Sequence, residues 1–128
     1  MITSVHTLIY SDDPTATRAF LRDVLRWPSI LDAGSGDDWL IFKTGPSELG
    51  VHPTSGVWEG EAFSSPRQHQ IALMCDDLAA TMAELESRGA GFSGEATDMG
   101  FGMGAMLQVP GADDILLYQP SHAPAFSL

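Results

Sequence analysis

An α+β fold built from two copies of one supersecondary unit is predicted for this chain by three observations. First, sliding the sequence by 64 residues superposes 5–21 on 69–85 with six identities, Asp12/Asp76, Asp13/Asp77, Ala16/Ala80, Thr17/Thr81, Ala19/Ala83 and Leu21/Leu85. Second, both copies read as one strand, one helix and three further strands. Third, 128 residues with 44% hydrophobic content suit one domain around one core. A 64-residue period exceeds the 20 to 50 residues of roughly one solenoid repeat, so the copies are larger units.

The opening strands fall at 5–10 and 71–75, short apolar runs that each end in an Asp-Asp pair. Those carboxylates suit the N-terminus of a following helix, and Pro14 sits where a missing N–H costs little. In the second helix Leu78, Met82 and Leu85 share one face, and Gly89 closes it. Three strands are expected after the first helix, at 29–33, 39–43 and 48–52. Three more follow the second, at 92–95, 103–109 and 114–118. The units then span about 1–53 and 69–120, joined by a Pro- and Gly-punctuated linker at 54–68, with a straggling tail. An α+β architecture follows, with helices on one side of mixed sheets.

Six basic residues against 17 acidic ones leave a formal charge of -11. Phosphate backbones and anionic lipid surfaces are therefore not expected partners. No apolar run reaches the roughly 18 residues of a membrane helix, no secretory signal opens the chain, and the single cysteine, Cys75, forms no intrachain disulfide. A cytoplasmic protein is expected. Nucleophilic catalysis finds no Gly-x-Ser-x-Gly elbow, and Asp76 and Asp77 disfavour a Cys75 thiolate.

With "VHTLIYSDDPTATRAFLRDVLRW" opening one copy and "HQIALMCDDLAATMAELESRGAGF" the other, the chain resembles the vicinal oxygen chelate superfamily, which holds glyoxalase I, extradiol dioxygenases and bleomycin-type antibiotic-binding proteins. Arg26 departs from it, standing where the family usually has Gly. The resemblance implies a cup holding one divalent metal on ligands from the first and last strand of each unit. Its first-strand positions fall on His6 and Gln70, but its last-strand glutamates fall on Gly50 and Leu116, which bind no metal. Side chains alternate along a strand, so Glu48 and His52 share the face of Gly50, about 6.5 Å away along the strand. A reduced set of His6, His52 and Gln70, with Glu48 as ligand or base, suits Zn, Ni, Fe or Mn.

Gly100, Gly102 and Gly104 alternate in "MGFGMGAM", a bare face that leaves room for a guest, with Phe101, Met99, Met103 and Met106 as adaptable walls. Tyr118, on the last strand, joins His6, Glu48, His52, Gln70 and Phe101 in the candidate ligand-binding set. Trp39 and Trp58 are open to stacking on a flat ligand, a dimer contact or core packing. His69 and His122 read as surface residues.

Two functions of different class follow. One is a metal-free binding protein for a small, cationic or aromatic molecule, which the acidic charge attracts. The other is a divalent-metal-dependent lyase, isomerase or dioxygenase with the reduced His and Gln set. A regulatory or metabolite-binding domain is a third. Few basic residues stand near the pocket for an anionic glutathione substrate. The resemblance also implies a homodimer, and open sheet edges give a physical reason for it.

Overall fold

The repeat is visible first in the helix caps. In the computed structural model, which describes residues 1, 4–32 and 39–128, Asp13 accepts a hydrogen bond from the Ala16 N–H at 3.1 Å and Asp77 from the Ala80 N–H at 3.0 Å. Each carboxylate satisfies an N–H that has no partner within its own helix. Helix α1 spans Pro14–Ala19 and continues as a π-helical turn, Phe20–Val24; helix α2 spans Leu78–Ser87.

The π turn has a sequence cause. The caps Asp13 and Asp77 are 64 residues apart, whereas the left-handed residues that end the helices, Arg26 (φ 59°) and Gly89 (φ 94°), are only 63 apart. The first helix therefore carries one extra residue, absorbed by an i to i−5 bond from the Leu25 N–H to the Phe20 carbonyl at 3.1 Å. The closing bond reflects the same insertion. Ala90 N–H reaches back five residues to Leu85, and Trp27 N–H reaches back six to Leu21.

The second unit forms a complete mixed sheet in the order β5-β8-β7-β6, from Ala72–Met74, Ile115–Pro120, Gly102–Leu107 and Phe92–Asp98. β5 runs parallel to β8 and the other pairs are antiparallel. On one face Leu107 pairs with Ile115, and Leu117 sits between Ala105 and Leu73. Leu107, Ile115 and Leu117 form one core with Phe20 and Leu21 from the first helix, Leu78 and Leu85 from the second, and Val109. Both repeats thus bury apolar surface in the same place, the largest stabilising term available to a chain of this size.

The first unit is less complete than expected. β1 (Ser29–Leu31) and β2 (Leu40–Phe42) form an antiparallel pair, and Ala33, expected to end β1, lies outside the described residues. Residues 5–10 and 48–52, expected as its first and last strands, join no ladder among the described residues. A strand needs a hydrogen-bonded neighbour, and these two lack the parallel pairing that β5 makes with β8. Gly50 inside 48–52 and Pro53 at its end weaken strand formation further.

The stretch between the units carries structure of its own. β3 (Ser55–Trp58) and β4 (Glu61–Ser64) form a hairpin. Its two-residue loop, Glu59 and Gly60, has φ of 49° and 79°, the twist that matches antiparallel strands. The units are also tied directly, by the Asp12 N–H to the Gly111 carbonyl at 2.8 Å and by Arg88 Nη1 to the Val24 carbonyl at 2.8 Å. Gly111 permits the first contact: it has φ 79°, and a side chain there would stand 2.9 Å from the Asp13 nitrogen.

Candidate functional site

Strand alternation sends Leu116 and Tyr118 to the sheet face away from the core, beside Met106 and Gly104 on β7 and Ala72 and Met74 on β5. This is the cup face. β6 bends around it, because Ser93 pairs with Met106 and Thr97 with Gly104, so three residues of β6 oppose one of β7. The resulting hollow is about 250 Å³, lined among others by Ser93, Glu95, Thr97, Met99, Gly104 and Leu116. Gly104 is buried at its floor, where an added Cβ would lie 2.5 Å from Met99 Sδ and 2.9 Å from Leu116 Cδ1. The alternating glycines do leave a bare face, and the methionine after the bulge fills part of it.

Met103 points the other way. It lines a groove of about 420 Å³ between α2 and the sheet, with Met82 and Ala83, and is not a cup wall. The reason is strand parity: Met103 pairs with Gln119 on the helix side, one residue out of step with Gly104 and Tyr118.

Beyond the hollow the cup face becomes aromatic and then charged. Phe101 meets Tyr118 edge to face, with centroids 5.3 Å apart at 82°. Gly100 (φ 86°) closes against Trp58 of the hairpin, whose ring lies 2.6 Å from where a side chain would start. Glu48 reaches this cluster from the first unit. Its Oε1 accepts from His122 Nε2 at 2.7 Å and its Oε2 from the Ala125 N–H at 2.7 Å.

These contacts set the electrostatics. The Ala125 N–H, then His122, holds the Glu48 carboxyl below the usual glutamate range, so Glu48 is ionised at neutral pH. Burial, and secondarily the Glu48 charge, pushes the Tyr118 phenol above its usual range, so it stays protonated and able to donate. The site therefore offers an aromatic pair, a phenol and an ionised carboxylate. It can hold a flat or positively charged molecule.

Of the six residues proposed from sequence, Glu48, Phe101 and Tyr118 come together here. His6 and Gln70 are exposed and make no hydrogen bond or ion pair among the described residues. Gln70 precedes β5 with the parity of Ala72 and Met74, the cup-face residues. His52 stacks its edge on Phe63 at 5.5 Å and places Nδ1 2.7 Å from the Pro53 carbonyl. Among the described residues no three His, Cys, Asp or Glu side chains gather where a metal ion would sit. Glu48, the carboxylate of the candidate set, has both oxygens engaged by His122 and the Ala125 N–H and offers neither to an ion in this arrangement.

One contributor was read otherwise, and another was left open. His122 is half exposed, as a surface residue should be, yet it is the hydrogen-bond partner of Glu48 from 74 residues away. Trp58, left open between stacking on a flat ligand, a dimer contact and core packing, belongs to the stretch read as linker, which the structure shows to be a hairpin. Trp39 lies under the Arg18 guanidinium, 6.0 Å from its centroid. Cys75 donates to the Tyr118 carbonyl at 3.6 Å, and burial pushes its thiol up, which leaves it a poor nucleophile.

Comparison with known proteins agrees with this architecture. A family model described as Glyoxalase/Bleomycin resistance protein/Dioxygenase superfamily matches residues 3–117. A superfamily member of solved structure from Sphaerobacter thermophilus is 19% identical, with 92% of this chain and 98% of that one covered at a TM-score of 0.56. TnmS3, an antibiotic binding protein from Streptomyces, is 19% identical over 94% and 100% of the two chains, at 0.52. Lactoylglutathione lyase from Agrobacterium tumefaciens is 16% identical over 91% and 92%, at 0.58. No curated protein matches the chain. Likeness at these identities is one of fold, which hosts several functions.

Proposed function

Because the chain belongs to the glyoxalase/bleomycin resistance protein/dioxygenase superfamily, we propose that it is a binding member, taking a small aromatic or cationic molecule in its cup without a four-ligand metal centre. The observation that carries this reading is the Phe101–Tyr118 edge contact beside the ionised Glu48 carboxylate. An aromatic pair contributes dispersion and quadrupole attraction to a flat guest, and a carboxylate at its rim selects for positive charge. The net charge of -11 adds long-range attraction for a cation, weakened by salt. One neighbour of the same fold is an antibiotic binding protein, which brings that class of guest into consideration.

The same reading has the chain acting in the cytoplasm as a homodimer, each cup completed by a partner's strands. Its support is the apolar surface of the unpaired segments: Val5 is 76% exposed, Leu49 82% and Val51 93%. Light scattering after size exclusion should give twice 13.7 kDa, and a stable monomer would remove the dimer from the reading.

The decisive experiment is a calorimetric titration with planar aromatic cations and cationic glycopeptides at low and physiological salt. Micromolar binding that weakens in Phe101→Ala and in Glu48→Gln is expected. Absence of binding throughout would overturn the sequestering role.

A further inference from the structure

The Glu48 carboxylate, only 16% exposed, is fully engaged by the chain's own C-terminal tail. Each of its oxygens accepts one N–H, from the His122 ring and from the Ala125 backbone, both at 2.7 Å. The tail is rooted beside the aromatic pair, because Ser121 donates to the Phe101 carbonyl through its N–H at 3.0 Å and its hydroxyl at 2.9 Å. It ends in a single 3₁₀ turn, Ala125–Ser127, with Phe126 left 43% exposed. Two N–H donors, one for each oxygen of a carboxylate, are what an amidinium or guanidinium group supplies in one rigid plane.

We propose that residues 122–128, rooted at Ser121, are a built-in competitor for the cup, and that the guest displacing them is an aryl amidinium or guanidinium, its two N–H donors on Glu48 and its ring against Phe101 and Tyr118. This rests on the reading of the cup as a guest-binding site and names the guest's chemistry. The planar cation replaces both tail donors at once. Unlike the tail, whose ordering costs backbone and side-chain entropy, it brings them preorganised. The displaced tail carries away only His122, Ala125 and their neighbours, all exposed except the half-buried Pro124, so its release uncovers no core.

The test uses benzamidine as probe and the full chain throughout. His122→Ala combined with Ala125→Pro removes both donors, and proline is tolerated at the first position of the terminal turn. The double variant should bind benzamidine about tenfold more tightly than the native chain, the equivalent of one to two exposed charge-assisted hydrogen bonds. Adding Glu48→Gln should erase that gain. In the native chain, NMR should show benzamidine shifting Tyr118 and releasing the Ala125 amide together. Equal affinity in the native and double-variant chains, with Tyr118 shifted in both, overturns the competitor and leaves the cup reading standing. No shift at Phe101 or Tyr118 in any chain, with benzamidine or with neutral indole, overturns both.

Discussion

Arg26 and Gly89 end the two repeat helices in the same left-handed conformation, one with a side chain and one without. For an L-residue with a Cβ that region is strained, by roughly 1–2 kcal/mol per residue. Glycine enters it freely. The departure noted at Arg26 is thus a strained turn kept in place by the closing bond from Trp27 to Leu21.

Arg26→Gly is therefore expected to stabilise the protein by about 1 kcal/mol, after the entropic cost of glycine in the unfolded chain, and to raise Tm by a few degrees. Gly89→Ala should lower stability by a similar amount. Urea unfolding of the two variants checks both signs, and a destabilised Arg26→Gly would contradict the positive φ.

Gly104 sets the depth of the cup. Gly104→Val drives its Cβ into Met99 and Leu116, and overpacking of this kind costs about 1–3 kcal/mol. Met99→Ala in the same chain should recover most of the loss, because the thioether is the closer obstacle. A double-mutant cycle reads the coupling directly, and strict additivity would mean that the two residues do not touch.

The Glu48 contacts predict an acid-sensitive tail. A carboxyl whose native pKa lies below its ordinary 4.5 contributes binding energy above that value and loses it as pH falls through the lowered one. The Ala125 amide should stay protected at and above pH 4.5 and lose protection only as pH falls through the lowered value. In a Tyr10→Phe background, Tyr118 should titrate above its ordinary 10, and Glu48→Gln should bring it part of the way back, since burial is the larger cause. An unchanged Tyr118 titration would separate the two residues.

Metal content distinguishes the two classes of function. Protein purified without chelator or histidine tag should hold far less than one Zn, Ni, Fe or Mn per chain, unchanged by His6→Ala. A stoichiometric ion lost in His6→Ala would instead favour a lyase, isomerase or dioxygenase built on His6, His52 and Gln70.

Much of the fold was legible because its signals are local. The Asp13 and Asp77 caps, the Leu78, Met82 and Leu85 face and the terminal Gly89 declare themselves within a few residues, and the 64-residue offset multiplies them. The π turn was not read from the sequence: the one-residue mismatch between the repeats emerges only once the left-handed φ of Arg26 marks where the first helix ends. Strands at 5–10 and 48–52 were overestimated, since alternation reports a capacity to pair and not the presence of a neighbour.

The site divides in the same way. Composition, the broken last-strand pattern at Gly50 and Leu116, and the bare glycine face were set by the sequence alone. They pointed to a cup with an altered ligand set. Which residues share that cup was decided by tertiary structure: Glu48 with His122 across 74 positions, Phe101 with Tyr118, Trp58 over Gly100, and Met103 turned to the helix side. Local pattern determines which face a side chain takes, because that depends on backbone period. Which distant groups meet depends on how whole elements pack, and no short stretch of sequence carries that information.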